Sequence, residues 1–150
     1  MKQLIVVRHG QYGHDDRLND RGRAQIGTLA EKLKSLMNGA TVMILTSTMD
    51  RARESAEILG STFGVGFEEH EILWSENSHP EDLPGTLELV RSRKDEVDVL
   101  VLVTHYEYVE EFPSYFAREE LGTSMHSRLI EKGEAWVLDC LQKTLTHVRP

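Results

Sequence analysis

Residues 4–10 read Leu4-Ile5-Val6-Val7-Arg8-His9-Gly10, four apolar residues followed by arginine, histidine and glycine. The apolar run predicts a buried strand, and a protein core does not accept the polar ends of Arg8 and His9 without partners. Gly10 gives the backbone the freedom to leave the strand sharply. Arg8 and His9 are therefore predicted to lie at the carboxyl end of this strand, where open α/β sheets bind their ligands.

Two later apolar runs end in the same way. Residues 97–103 (VDVLVLV) lead into His105, and residues 41–45 (TVMIL) lead into Ser47 and, one turn into the next predicted helix, Arg51. Because parallel strands place their carboxyl ends along one edge of a sheet, these side chains are predicted to meet Arg8 and His9 there.

The segments between the strands alternate in type, which predicts the fold class. The predicted elements are a helix capped by Asp20 and ended by Asn38-Gly39, a helix over 49–63 capped by the cluster Thr46-Ser47-Thr48, an edge strand over 67–73, a helix over 85–94, a helix over 107–121 that Pro113 must start, kink or break, and a hairpin formed by 135–140 and 144–148. We predict an α/β fold with three layers (α/β/α), in which helices cover both faces of a mainly parallel sheet.

Length and composition predict one domain over residues 1–150. No apolar run approaches the roughly 18 residues that a membrane span requires. The first strand follows Met1 almost at once, which leaves no room for a secretory signal, so the cytoplasm is the expected compartment. The single cysteine, Cys140, agrees with that compartment and is interpreted as a structural thiol. No feature predicts the oligomeric state.

The formal net charge of -8 argues against a nucleic-acid partner, since no run of Lys or Arg interrupts the acidic composition. The same charge weakly repels anionic substrates at a distance. A binding site for an anion must therefore depend on a local cluster of cations.

The side chains at the sheet edge suit a phosphoryl group. A guanidinium group can donate two parallel hydrogen bonds to two phosphoryl oxygens. Arg51 lies in the first turn of a predicted helix, where the helix dipole disfavours a cation unless an anion is bound nearby. A histidine in this cluster could attack phosphorus, provided that it is neutral. We expect the neighbouring arginines to keep it neutral by lowering its pKa.

Other uses of these residues fit the sequence less well. The chain has no HExxH motif and no paired Cys/His spacing, and two arginines would repel a cation, so we predict no metal and no cofactor. It also lacks the GxxxxGK[ST] motif of a P-loop. The remaining histidines are expected on surfaces or loops, and only His14 is close in sequence to the predicted site: His14, His70, His79, His126 and His147.

Two segments resemble the histidine phosphatase superfamily, which contains phosphoglycerate mutases, acid phosphatases and short phosphohistidine phosphatases. They are Val7-Arg8-His9-Gly10, followed by Leu18-Asn19-Asp20-Arg21-Gly22, and the stretch 46–56 (TSTMDRARESA). The resemblance implies that His9 is the phosphoryl acceptor and that Arg8, Arg51 and His105 hold the phosphoryl oxygens. Ser47 and Gly10 are assigned to substrate binding at the same edge. The short chain, without room for a cap domain, most resembles the phosphohistidine phosphatase branch.

The sequence departs from that family in two places. Tyr106 follows the second histidine, where the family usually has a small residue, and no clean motif marks the carboxylate that protonates the leaving group. Glu76 is our first choice for this acid, followed by Glu81 and Asp82. The expected activity is hydrolysis of phosphomonoesters or of protein phosphohistidine, and the expected partner is a phosphorylated small molecule or a phosphohistidine protein. A mutase and a non-catalytic phospholigand-binding module remain alternatives.

Overall fold

A computed structural model describes all 150 residues and contains one six-stranded sheet and four α-helices. The strands are β1 (Gln3–Arg8), β2 (Val42–Thr46), β3 (Glu68–Glu69), β4 (Val99–Thr104), β5 (Ala135–Asp139) and β6 (Thr144–Val148). The helices are α1 (Asp20–Met37), α2 (Asp50–Phe63), α3 (Leu83–Arg93) and α4 (Tyr106–Leu121), and a single 3₁₀ turn spans Glu71–Leu73.

The strand order is β3-β2-β4-β1-β5-β6, with β1 and β4 at the centre. β1 pairs in parallel with β4, and β2 pairs in parallel with both β4 and β3. β5 runs antiparallel to β1 and to β6, so the predicted hairpin closes one side of the sheet. The sheet is therefore mainly parallel, and the predicted fold class is confirmed.

The sheet separates two apolar cores of 17 buried residues each. One core includes Ile26 and Leu29 of α1 and Ala56 of α2, and the other includes Phe112 and Phe116 of α4 together with residues of α3. Alternate residues of β1 contribute to the two cores. This arrangement explains why the strand is apolar at consecutive positions rather than at every second one.

The predicted helix caps are wrong at the start of both α1 and α2. Asn19, rather than Asp20, caps α1, and its side chain accepts a hydrogen bond from the Gly22 amide. No side chain of residues 46–48 caps α2. The Asp16 carboxylate, from the loop after β1, instead accepts the amide hydrogen of Asp50.

The segment after α2 also differs from the prediction. The edge strand over 67–73 is reduced to β3 and the 3₁₀ turn. α3 begins two residues earlier than expected because Asp82 caps it and Pro84 lies in its first turn, where the missing N–H costs nothing.

Pro113 neither starts nor breaks α4, which continues through it to Leu121. In a regular helix the amide of Ser114 would bond to the carbonyl of Glu110. Here the hydroxyl of Ser127 lies between them, accepting from the Ser114 amide at 3.2 Å and donating to the Glu110 oxygen at 2.7 Å. A side chain outside the helix thereby satisfies the two backbone groups that are not bonded to each other next to the proline. None of the helices is long and apolar enough to cross a membrane.

Candidate active site

A cavity of about 190 Å³ lies at the carboxyl ends of the central strands. Its walls are formed by Arg8, His9, Tyr12, Arg51, Ser75, Glu76, Asn77, His105, Tyr106, Glu107 and Lys132. A larger groove of about 580 Å³ lies between α2 and the loop after β1, but it contains no histidine and no buried nucleophile. The structure therefore brings four of the predicted site residues, Arg8, His9, Arg51 and His105, into one small cavity.

His9 is 4% exposed, and its hydrogen bond fixes where its proton lies. The Nδ1 atom is 2.9 Å from the carbonyl oxygen of Gly10, and a carbonyl can only accept, so Nδ1 carries the hydrogen. The other ring nitrogen, Nε2, has no hydrogen-bond partner in the protein. A neutral His9 thus keeps the lone pair on Nε2 available as a nucleophile.

His105 is 2% exposed and has the opposite tautomer. Its Nδ1 lies 3.4 Å from an Nη2 atom of Arg51, which can only donate, so Nδ1 is the acceptor. Its Nε2 therefore carries the hydrogen and donates it to the Ser47 hydroxyl at 2.7 Å. The two imidazole rings lie with their centroids 5.2 Å apart.

Both histidines are neutral near pH 7. Burial lowers the pKa of His9 to about 3, with smaller contributions from Arg51 and Arg8. Burial likewise lowers the pKa of His105 to about 2, assisted by His9 and the same arginines. The direction agrees with the expectation from the sequence, but desolvation, rather than the arginines, is the main cause.

Arg8 is held at the end of β1 by a hydrogen bond of 2.7 Å from its Nη1 atom to the carbonyl oxygen of Ile130. Its buried Nε has no partner, and the guanidinium carbon lies 5.9 Å from the centroid of the Tyr106 ring. Burial lowers the pKa of Arg8, although nearby carboxylates oppose the shift. A half-buried guanidinium with an unused donor is suited to bind an anion.

The unfavourable position of Arg51 at the start of α2 is relieved within the chain. The Asp16 carboxylate forms an ion pair with the Nη1 atom of Arg51. Asp16 has a left-handed backbone, with φ of 67°. Arg51 is 8% exposed, and its Nε has no partner. A bound anion is therefore not required to explain this arginine, but one guanidinium donor remains unused.

Of the three predicted acids, only Glu76 lines the cavity. It is exposed and belongs to a tight turn in which its backbone exchanges two hydrogen bonds with that of His79. Asp82 uses its carboxylate to cap α3. Glu81 lies beside Glu111 outside the cavity, and its hydrogen bond to Glu111 is the largest of the effects that raise the pKa of Glu111 to about 7.

Ser47 and Gly10 are placed behind the cavity wall rather than in it. Ser47 holds His105, as described above. The amide of Gly10 donates to the Ser55 hydroxyl at 3.1 Å, and a Cβ atom at Gly10 would lie 2.8 Å from the carbonyl oxygen of Gly22. Both residues thus position the histidines. His14 is exposed and does not line the cavity.

Sequence reasoning missed Tyr12, Glu107 and Lys132. Tyr12 makes an edge-to-face contact with His9, at 5.4 Å between ring centroids, and the Glu107 carboxylate accepts a hydrogen bond of 2.9 Å from Ser75. The positions of Tyr12 and Glu107, within three residues of His9 and His105, offered a weak signal. No sequence signal marked Lys132, because it reaches the cavity from the loop before β5, far in sequence from both histidines.

Residues 4–76 match the family described as the histidine phosphatase superfamily (branch 1). No curated protein matches the chain in sequence.

Solved structures share the fold over nearly the whole chain. The protein histidine phosphatase SixA complexed with tungstate has a TM-score of 0.75 at 17% identity, covering 99% of this chain and 97% of that chain. A mycobacterial glucosyl-3-phosphoglycerate phosphatase has a TM-score of 0.66 at 18% identity, covering 99% and 98%. A phosphoglycerate mutase from Plasmodium falciparum has a TM-score of 0.64 at 20% identity, covering 99% and 89%.

Proposed function

We propose that this chain, whose residues 4–76 match the histidine phosphatase superfamily, hydrolyses phosphomonoesters or protein phosphohistidine through a covalent phosphohistidine intermediate on His9. The observation that carries the proposal is the state of the His9 ring. The ring is neutral, and its Nδ1–H donates to the carbonyl oxygen of Gly10. Its Nε2 accepts no hydrogen bond, and Arg8 and Arg51 in the same cavity each have an Nε–H without a partner.

In the first step the Nε2 lone pair of His9 forms a bond to phosphorus, and the bond from phosphorus to the leaving oxygen or nitrogen breaks. The pair of electrons in that bond stays with the leaving group, which takes a proton from the acid, assigned here to Glu76. In the second step water attacks phosphorus and gives a proton to the same carboxylate. The P–N bond breaks, releasing phosphate and restoring neutral His9.

Arg8 and Arg51 contribute by stabilising the charge that spreads over the phosphoryl oxygens in the transition state. The Nε2–H of His105 donates to the Ser47 hydroxyl in this structure. If it donated to a phosphoryl oxygen instead, His105 would be a third hydrogen-bond donor beside Arg8 and Arg51. None of these steps uses a metal ion, so we expect activity to persist in EDTA. The cytoplasm stays our proposed compartment, on the evidence of cysteine usage alone.

Trapping the intermediate tests the proposal. The wild-type protein is incubated briefly with ³²P-labelled acetyl phosphate and with a labelled phosphohistidine protein, then quenched in denaturant. We expect label that is stable to base and labile to acid, and none on His9→Ala. Labelled His9→Ala protein would overturn the role of His9. A wild type that binds phosphate but neither acquires label nor releases phosphate would instead be a phospholigand-binding module.

A further inference from the structure

Lys132 is a cation of the cavity wall that has no anionic partner. It is partly buried, and no carboxylate lies within 4.0 Å of its amine, although the chain has 25 acidic residues and a net charge of -8. Its amine instead lies 4.9 Å from the centroid of the Tyr12 ring. In so acidic a protein, a lysine left without a carboxylate beside a cavity has a charge available for a ligand.

The backbone that carries Lys132 is fixed against β1. The amide of Gly133 donates to the carbonyl oxygens of both Arg8, at 3.1 Å, and His9, at 3.0 Å. Gly133 has φ of 79°, a conformation that favours glycine, and the Arg8 guanidinium bonds to the neighbouring Ile130 carbonyl. Lys132 is therefore held at a defined place relative to the proposed nucleophile.

Tyr12 defines how far the amine of Lys132 lies from the phosphoryl-binding groups. The centroid of its ring is 4.9 Å from the Arg51 guanidinium carbon, 5.4 Å from the His9 centroid and 4.9 Å from the Lys132 amine. The amine is thus at most 10.3 Å from the centre of the His9 ring. Tyr12 is 37% exposed, so this part of the wall is the mouth of the cavity.

The cavity itself holds little beyond a phosphoryl group, because about 190 Å³ corresponds to roughly six water molecules. Arg8 and Arg51 already face that group. A substrate larger than that group extends past an exposed part of the wall, and the part formed by Tyr12 leads toward Lys132. An anionic group placed there would meet an ammonium that has no competing partner.

We propose that Lys132, supported by the Tyr12 ring, binds a second anionic group of the substrate. The preferred substrates are then small phosphorylated acids, in which a carboxylate or a second phosphate lies a few bonds from the scissile phosphoryl group. This inference rests on the proposed function for its substrates, but it concerns binding and is tested without turnover.

Calorimetric titration with phosphonates provides the test, because their P–C bond is not hydrolysed. Propylphosphonate and 2-carboxyethylphosphonate have similar size and differ by one carboxylate, and ethylene-1,2-diphosphonate replaces that carboxylate with a second phosphonate. We expect wild type to bind 2-carboxyethylphosphonate, ethylene-1,2-diphosphonate or both about fivefold or more tightly than propylphosphonate, a difference of about 1 kcal/mol. The probe whose affinity exceeds that of propylphosphonate by the larger factor shows whether the second anionic group of the substrate is a carboxylate or a phosphate.

Variants assign the preference to Lys132. We expect Lys132→Ala to bring the ratio of dissociation constants to within about twofold of unity, whereas Lys132→Arg retains most of it. Lys32→Ala, at an exposed position of α1, is the matched control and should keep the wild-type ratio. The inference is overturned if wild type shows no preference, if no phosphonate binds, or if Lys132→Ala keeps the preference. A protein that shows the preference but hydrolyses no phosphorylated compound overturns the proposed function and leaves this inference intact.

Discussion

Asp16 has two roles that converge on one arginine. One carboxylate oxygen pairs with Arg51, and the other accepts the amide hydrogen of Asp50 at the start of α2. The side chain of Arg51 is 10% exposed and that of Asp16 is 29% exposed, so solvent only partly screens the pair. Asp16 thus neutralises a buried cation and orients the guanidinium toward His105.

Asp16→Asn is expected to lower both stability and activity. Loss of the charge weakens hydrogen bonds to an ionic partner, which contribute about 1.5–3 kcal/mol each, and leaves Arg51 without its counterion. We expect the free energy of unfolding in urea to fall by about 1–3 kcal/mol, and kcat/KM to fall with it.

A double-mutant cycle identifies the route of this effect. If Asp16 acts through Arg51, the loss of kcat/KM in Asp16→Asn combined with Arg51→Ala is smaller than the sum of the two single losses. Additive losses would show that Asp16 acts on the reaction independently of Arg51.

Glu76 is expected to matter more for some substrates than for others. An alkoxide leaves poorly and needs a general acid, whose contribution is typically about 10²–10⁴ in rate, whereas nitrophenolate leaves readily without one. Glu76→Gln should therefore slow the hydrolysis of an alkyl phosphate strongly and that of nitrophenyl phosphate much less.

Glu107→Gln is the matched comparison, because Glu107 lines the same cavity and is held by Ser75. Kinetics of both variants on both phosphates separate the two carboxylates. Should Glu107→Gln show the substrate-dependent loss and Glu76→Gln show none, the acid would be Glu107.

At the scale of elements, the start of α1 is fitted closely against the chain leaving β1. A Cβ atom at Gly22 would lie 2.9 Å from both the amide nitrogen and the carbonyl carbon of Gln11. Both contacts are with backbone, which cannot rotate away. This packing fixes residues 10–12, and through them the approach of Tyr12 to His9.

Gly22→Ala should therefore destabilise the protein by about 1–3 kcal/mol, the usual cost of overpacking, and should also reduce kcat. Gly27→Ala is the control on the same helix, since a Cβ atom there meets nothing within 4 Å. That change should stabilise the protein by about 0.5–1 kcal/mol through helix propensity. Urea unfolding of the two variants measures both effects, and equal stabilities would contradict the proposed packing.

The elements show which features the sequence could predict. The apolar runs of β1, β2 and β4 and the apolar periodicity of α1 predicted those elements to within about two residues, because burial on a sheet or helix face imposes that periodicity. The cap of α2 was predicted wrongly, and the sequence did not decide how α4 passes Pro113, for a common reason. Asp16 and Ser127 supply their hydrogen bonds from distant loops, and local patterns contain no information about such partners.

For the whole molecule, topology predicted where the candidate site lies, and the family resemblance is confirmed by the match over residues 4–76. Arg8, His9, Arg51 and His105 end or follow parallel strands, so their convergence followed from the strand order. Lys132 could not be predicted in this way, because it precedes an antiparallel strand and arrives from the opposite direction.

Stability as a whole should depend on pH through the two buried histidines. Their folded pKa values, about 3 for His9 and about 2 for His105, lie below the unfolded value of 6.5. Below pH 6.5 the unfolded chain therefore takes up protons that the native protein does not. Stability is complete above that pH and falls on acidification, with a slope approaching about 1.4 kcal/mol per pH unit for each histidine.

His105→Gln should remove one of these contributions. We expect its free energy of unfolding to fall less steeply than that of wild type between pH 6.5 and pH 5. Glu111, whose pKa is raised to about 7, changes stability in the opposite sense over this range, but it is present in both proteins and cancels in the comparison. Parallel pH profiles would mean that His105 does not stay neutral in the folded protein.

The position of β1 in the sheet has a consequence for how a working molecule is made. β1 contains residues 3–8, but its two neighbours in the sheet are residues 99–104 and 135–139. A ribosome delivers the chain from its amino end, so the strand that leads to His9 emerges before either of its two neighbours in the sheet has been made. Nascent chains consequently carry the proposed nucleophile, His9, without its pocket. The proposed phosphoryl chemistry can therefore begin only once residues 99–139 have joined the sheet, and until then an apolar strand with two open edges is exposed to aggregation.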